Sequence, residues 1–350
     1  MRPGRRLPRA VSRVLASFLG VVVALAVSEL AVRWYEGEPL LPLVPPEPYV
    51  DNAVLYRRNP TRLYDLRPGV DEIVRRERIR IHVNAAGMRD DREFSRPKPP
   101  GVFRVVVLGD SFTFGGKVQV EDTFPSVLER ELHASAPSRR FEALNLAVPG
   151  YNTEQEMLSL KEEGLSYEPD LVIVNFVLND AAPMRQLVPE NSRVPLPLRK
   201  ILKRFDLVQL AYAFSKGMSA AMHAKEFGET ENHAELAAGS PGWERARASL
   251  AEIRRLASEN HAGSMVVIWP MLVELNADYP YRAKHRLVAD ECQKLGIPVF
   301  DLLQVFQGRD PATLWASRED RHPNVIALSM AAKAVSRELT IRGLAPGSIQ

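Results

Sequence analysis

Two residues far apart in the chain could do chemistry together. Ser111 lies in Arg104-Val-Val-Val-Leu-Gly-Asp-Ser-Phe-Thr-Phe-Gly115, and His322 lies in Glu319-Asp320-Arg321-His322-Pro323-Asn324. The apolar run at residues 105–108 reads as a buried strand. Gly109-Asp110-Ser111 then reads as a turn that exposes a hydroxyl at the strand's carboxyl end, the edge where open α/β sheets bind ligands. A serine there becomes a nucleophile when a base reaches it. His322 is the candidate base: it would take the hydroxyl proton as Ser111 attacks an acyl carbonyl, then return it to the leaving alcohol. A carboxylate beside His322 would orient the ring. The amides of Ser111 and Gly150, with the side-chain amide of Asn179, are candidate donors to the oxyanion, each lowering the barrier by about 3 kcal/mol.

Such distant residues converge only if strands and helices alternate. Strands are expected at residues 103–108, 141–147, 171–177, 264–269 and 298–301. Helices are expected from a cap at Asp122-Thr123 to Ser135, and at 153–163, 243–258, 281–295 and 325–337. That alternation builds a parallel sheet covered on both faces. Its strand ends carry Gly109-Asp110-Ser111, Pro149-Gly150 and Asn179-Asp180, so all three reach one edge. Residues 183–241 break the rhythm and read as an insertion, with an amphipathic helix at 207–222 and a polar stretch at 226–240. Residues 101–345 are the expected main domain. Before it, residues 36–100 combine a proline-rich tether (36–48) with a short strand or hairpin around 79–83, closed by the turn at 84–87.

The N-terminus has a different character. Five arginines (Arg2, Arg5, Arg6, Arg9, Arg13) precede an apolar run at residues 14–27. A basic start before an apolar core marks an export signal or signal anchor. A retained single-pass helix over residues 1–35 is the expectation, extended through Leu30, Ala31 and Val32 at the cost of Glu29. Trp34 and Tyr35 would sit at the far interface, with the N-terminus cytoplasmic and the rest exported. Cleavage after Ala26 is the alternative. The net charge of +3 owes everything to those five arginines. The other 41 basic residues face 43 acidic ones, which argues against nucleic acid as a partner. The single Cys292 excludes an internal disulfide. No cluster of Cys, His and Asp has metal-ligand spacing, and Gly115-Gly116 lacks the lysine-serine ending of a phosphate loop. Neither a metal nor a cofactor is expected.

With these blocks in order, the chain from about Phe103 onward resembles the SGNH (GDSL-type) hydrolases. Gly109-Asp110-Ser111 matches the nucleophile block, Gly150 the second, Asn179-Asp180 the third and His322-Pro323-Asn324 the last. The resemblance implies a three-layer α/β/α sandwich with a flavodoxin-like sheet. It implies the four name-giving roles for Ser111, Gly150, Asn179 and His322. It also implies a serine esterase acting on an O-acylated carbohydrate or small ester. Rival readings are an O-acyltransferase that modifies an exported polysaccharide, and a non-catalytic glycan-binding module. The N-terminal segment, residues 84–90 and the insertion are similar to a membrane-tethered bacterial branch, which implies an inner-membrane anchor and a periplasmic catalytic domain. Two departures stand out. Val177 occupies the place of a usual glycine. The usual aspartate three before the histidine is Glu319, so Asp320 is expected to support His322, with Glu319 as the alternative. Of the neighbouring residues, Asp110 reads as a cap, and Phe112, Thr113 and Phe114 as packing. Asn84, Arg89 and Asp90 are candidates to line the site, with an ordinary ion pair as the favoured reading of Arg89, and His82 and His133 read as surface.

Overall fold

The computed structural model describes residues 9–35, 52–74, 78–188, 235–317 and 320–347. The expected tether at 36–48 and the helix at 207–222 lie outside these residues, and so does Glu319. The chain divides into two compact units, one of residues 1–49 with 191–226 and one of residues 50–190 with 227–350. What is described of the first is helix α1 (Arg9–Tyr35). Its residues Phe18, Leu19, Val21, Val22, Val23, Leu25, Val27 and Leu30 are exposed. Among the described residues, no helix is long and apolar enough to cross a membrane. The expected transmembrane helix is therefore not found there. Ser28 and Glu29 interrupt the apolar run of α1 before Leu30, Ala31 and Val32.

The second unit begins with α2 (Asn52–Leu55) and two antiparallel hairpins, β1 (Tyr56–Asn59) with β2 (Leu63–Leu66), and β3 (Asp71–Val74) with β4 (Ile79–His82). The sequence pattern marked only the last of these strands, where apolar and polar residues alternate. The rest of the unit is strand and helix in turn: β5 (Val102–Leu108), α3 (Ser111–Phe114), α4 (Phe124–Ser135), β6 (Arg140–Asn145), α5 (Thr153–Glu162) and β7 (Leu171–Phe176). After the insertion come α6 (Pro241–Glu259), β8 (Gly263–Ile268), α7 (Arg282–Lys294), β9 (Val299–Asp301), α8 (Leu303–Phe306) and α9 (Val325–Ile341). Thr123 occupies the N-cap position of α4 but makes no side-chain cap bond there. Its hydroxyl instead donates to Val120 O at 2.8 Å, in the short 3-10 turn that holds Asp122.

The five long-range strands form one parallel sheet in the order β6-β5-β7-β8-β9. Numbered among themselves, that order is 2-1-3-4-5. The chain reverses direction of winding between β5 and β7, and the crevice at such a switch point is where this architecture places ligands. Side chains alternate between the two faces. Val105, Val107, Ile173 and Val267 pack with Val127, Leu128 and Leu132 of α4 and Leu328, Ala332 and Val335 of α9. Val106, Leu108, Val172, Val174 and Ile268 pack with Leu160 of α5, Leu250 and Ile253 of α6 and Val288 of α7. Each such fully buried valine or leucine contributes about 1.5–3 kcal/mol relative to exposure. Cys292 is in the second of these layers, where burial pushes its thiol up to about 12, so it is a packing residue with no thiolate at neutral pH.

One buried cation ties the edge of the sheet together. Arg104 of β5 is fully buried. It donates to Glu142 Oε2 on β6 at 2.8 Å, to Ser95 O at 3.0 Å and to Tyr167 O at 2.8 Å. Removing one partner of a buried, hydrogen-bonded pair leaves the other charge unmet. Arg104→Ala is expected to lower unfolding stability by about 3–5 kcal/mol, read as a lower denaturation midpoint in urea. A loss below about 1 kcal/mol would mean that Glu142 is solvated without its partner.

Candidate active site

The turn that carries Ser111 starts where β5 ends. Gly109 closes it: a Cβ there would stand 2.2 Å from Thr113 Oγ1, so no side chain fits. Asp110 is the N-cap of α3, and its Oδ1 accepts from the Phe112 amide at 2.9 Å. This four-residue helix is held from the strand tips. Asn175 of β7 donates to Thr113 Oγ1 at 2.8 Å, and Asn145 of β6 donates to Thr113 O at 3.4 Å. Phe112, Thr113 and Phe114 are buried, as packing residues should be. Ser111, at the first position of α3, is left only half-buried at the switch point.

His322 arrives from the far end of the chain. An isolated bridge between Trp315 and Pro323 brackets its loop, and Ala316 N donates to His322 O at 2.8 Å. Asn324 caps α9 by accepting from the Ala327 amide, and it ties back to Thr313 O and Trp315 O. The imidazole meets the edge of the Phe112 ring at 5.5 Å between centroids. His322 Nε2 is 2.9 Å from Ser111 Oγ, and His322 Nδ1 is 2.5 Å from Asp320 Oδ1. With Asp320 ionised, the ring proton sits on Nδ1, and Nε2 is free to accept the serine proton. The His322 amide also donates to Asp320 Oδ1 at 3.0 Å. Asp320, two residues before the histidine, therefore makes the contact, while Glu319 lies outside the described residues.

The charges of the group reinforce one another. The hydrogen bond from His322 holds the Asp320 carboxyl well below the usual carboxylate range, against the opposing effect of its burial. Burial disfavours the imidazolium of His322, but the hydrogen bond and charge of Asp320 and the charge of Asp110 outweigh it and raise its pKa. The His322 side chain remains 41% exposed, so an ester can reach it.

The expected oxyanion donors are less uniformly placed. Gly150 has φ +80 and takes the left-handed conformation, and a Cβ there would come within 2.9 Å of Tyr64 Oη. Among the described residues, the Gly150 amide has no acceptor. Asn179 Nδ2 donates to Asp110 Oδ2 at 3.2 Å. An amide nitrogen carries two protons, so one remains for a substrate oxygen. Val177, standing where the family has glycine, is buried in the sheet's core, and its amide donates to Asp180 Oδ2 at 3.1 Å. Behind this wall lie the buried acids Glu156 and Asp180. Burial and the neighbouring carboxyls raise both well above the ordinary range, which keeps protons on them. Among the described residues, no group of His, Cys, Asp and Glu is placed to hold a metal ion.

Several residues took roles that the sequence did not indicate. Arg89, read as an ion pair, instead donates from its buried guanidinium to the carbonyls of Phe114, Gly115 and Val118. Lys117 Nζ lies 3.3 Å from Asp320 Oδ2. Tyr64, from the first hairpin, donates to Pro149 O at 3.0 Å, next to Gly150. His82 and His133 are half-buried, not on the surface: the Nδ1 of His82 is enclosed, and the Nε2 of His133 accepts from Phe141 N at 3.4 Å. A lone asparagine in an apolar strand run, as Asn175 is, was the one sequence signal for such support.

A sequence model of the GDSL-like lipase/acylhydrolase family matches residues 107–326. The chain belongs to that family. Three solved structures are similar to it at low identity. A protein of the G-D-S-L family from Desulfitobacterium hafniense DCB-2 is 18% identical, with 67% of this chain and 98% of that one covered and a TM-score of 0.41. An acetylxylan esterase from Geobacillus stearothermophilus is 17% identical, with 68% and 94% covered and a TM-score of 0.45. An alpha/beta hydrolase enzyme from the metagenome of Lake Arreo, Spain, is 18% identical, with 69% and 95% covered and a TM-score of 0.44. No curated protein matches the chain.

The histidine's surroundings make a test that needs no substrate. In an NMR titration assigned with His322→Gln, the His322 midpoint is expected above that of an ordinary histidine. Asp320→Asn removes the charge that favours the imidazolium, so the midpoint should fall. A midpoint that ignores Asp320→Asn would show that the two side chains do not interact in solution.

Proposed function

We propose that this protein is a serine esterase with Ser111 as nucleophile, His322 as general base and acid, and Asp320 as the residue that orients His322. The observation that carries this reading is the line from Ser111 Oγ to His322 Nε2 at 2.9 Å and from His322 Nδ1 to Asp320 Oδ1 at 2.5 Å. Ser111 Oγ attacks the ester carbonyl as Nε2 takes its proton. The tetrahedral oxyanion forms near the amides of Ser111 and Gly150 and the free proton of Asn179. The imidazolium then protonates the leaving alcohol, and a water activated by His322 releases the acid. Asp320 stabilises the imidazolium of both steps without itself taking the proton.

The substrate class is an acyl ester of a carbohydrate or of a small alcohol. Tyr64 Oη and Leu187 Cδ1 lie beside Gly150, 2.9 and 3.2 Å from where a Cβ on it would stand. Walls that close to an oxyanion donor support a short acyl group. With p-nitrophenyl esters, the acetyl ester is expected to turn over faster than the octanoyl ester. Ser111→Ala is expected to lower kcat by about 10⁴-fold or more. Equal rates in the parent and Ser111→Ala would overturn the esterase reading. Acylated sugar as the main product, with an oligosaccharide present, would replace hydrolysis with transfer.

The same reading attaches the protein to a membrane through α1, with the catalytic part on the extracytoplasmic side. The exposed Phe18, Leu19, Val21, Val22, Val23, Leu25, Val27 and Leu30 on one helix support that attachment. The preceding arginines favour the cytoplasmic side. After cell fractionation, the full chain is expected with membranes through a carbonate wash, and a chain lacking residues 1–35 in the soluble fraction. Full-length protein released by carbonate would overturn the attachment.

A further inference from the structure

We propose that Lys117 is a positioning residue of the Ser111–His322–Asp320 group, holding the second oxygen of Asp320 so that the first stays aimed at His322. The proposal rests on the esterase reading above for its effect on rate. The two oxygens of Asp320 have divided tasks. Oδ1 accepts from His322 Nδ1 at 2.5 Å and from the His322 amide at 3.0 Å. Oδ2 faces Lys117 Nζ at 3.3 Å. A carboxylate tied through one oxygen can rotate about its last bond, whereas a carboxylate tied through both cannot do so without losing a contact. Partners of this kind, one step removed from the reacting groups, orient the residues that do react.

Lys117 is itself held in a fixed frame. It lies in the short segment between Gly115 and Val118, which is closed by Val118 N donating to Gly115 O at 3.0 Å. Arg89 grips both ends of that segment. Its guanidinium donates to Phe114 O at 2.7 Å, to Gly115 O and to Val118 O at 2.5 Å, and it packs over the Phe114 ring with 5.0 Å to the centroid. Gly115 also caps α3 by donating to Ser111 O at 3.1 Å. The nucleophile and the lysine that steadies the acid are therefore mounted on one piece of backbone, braced by one buried arginine. A shift of α3 carries Lys117, and with it the aim of Asp320.

Charge gives the role a signature that packing alone would lack. Among the described residues, the groups acting on the imidazole are Asp320 from its own loop, Asp110 from the turn after β5, and Lys117. Asp320 and Asp110 favour the imidazolium, and Lys117 opposes it. Lys117 and Asp320 are 32% and 25% exposed, so water screens the pair in part and the effect is moderate.

The test compares the full-length protein with Lys117→Met and Lys117→Arg. Each is followed by the NMR titration of His322 and by kcat and KM for p-nitrophenyl acetate across pH. Lys117→Met is expected to move the His322 midpoint and the acid limb of the rate profile to higher pH. It is also expected to lower kcat about tenfold with KM unchanged, short of the hundredfold loss that a 1 Å misplacement brings. Lys117→Arg should restore both. An unchanged kcat in Lys117→Met overturns the proposal, as does a lower kcat that Lys117→Arg fails to recover. Should the parent lack turnover, the esterase reading fails, while the titration still decides whether Lys117 acts on the Asp320–His322 pair.

Discussion

Asp110 joins parts of the chain that would otherwise meet only loosely. Its side chain is buried between the Ser111 turn and the Asn179 turn, accepting from the Phe112 amide with one oxygen and from Asn179 with the other. The first bond starts the short helix that displays Ser111, and the second ties that helix to the tip of β7. Its charge favours the protonated form of His322. A buried carboxylate is costly unless its lone pairs are met. Burial raises the Asp110 pKa, and the amide, Asn179 and the imidazole each pull it back. Glu156 and Asp180 lack such help. Both oxygens of Glu156 are unpartnered among the described residues, and Asp180 receives a single amide. Burial keeps protons on these two acids and raises Asp110 as well, there against three groups that favour its charged form.

The order of strands is the second constraint. A parallel sheet wound 2-1-3-4-5 puts the ends of β5 and β7 side by side at the point where the winding reverses. Ser111 follows the first strand and Asn179 the second, with β6 delivering Gly150 from the flank. Only His322 is not brought by a strand. Its loop is secured by the Trp315–Pro323 bridge and by the cap that Asn324 gives to α9. The last residues of the family's final block are thus structural: Pro323 seats the loop and Asn324 starts the helix behind it.

Much of this was legible in the sequence, for reasons that differ by element. The strands of the large sheet are apolar runs with turn residues at each end, and their expected limits fall within two residues of those observed. α9 runs four residues past its expected end because no breaker precedes Gly343. The chemical residues were legible because four short blocks occur in order, and the sequence favours Asp320, while leaving Glu319 open, because the shorter acid is the family's usual type. What sequence could not show is a partner that is backbone. Arg89 stands beside Asp90 and Asp91 and looks like half of an ion pair, yet its partners are three carbonyls that only the fold assembles. Lys117 carries no pattern at all. Strands β1, β2 and β3 are too short to show periodicity, whereas β4 shows its alternation. The apolar N-terminal run indicated a helix, and a helix formed, but apolarity alone does not fix the length of a span.

The extension before β5 bears on where the catalytic unit can be divided. Tyr56, Tyr64, Leu66, Ile79, Ile81 and Val83 share one apolar core with Phe114 of α3 and with Ala147, Val148 and Tyr151 of the Gly150 loop. Tyr151 Oη donates to Asp65 Oδ1 at 2.8 Å, and Gln155 donates to Arg62 O at 2.7 Å. The family's sequence signature covers residues 107–326, but the compact unit that holds the site starts some fifty residues earlier. A chimaera joined at the start of β5 would give its new owner a complete set of reacting groups on loops whose inner faces had lost their lining. Homology draws the border of the enzyme in one place, and cohesion draws it in another.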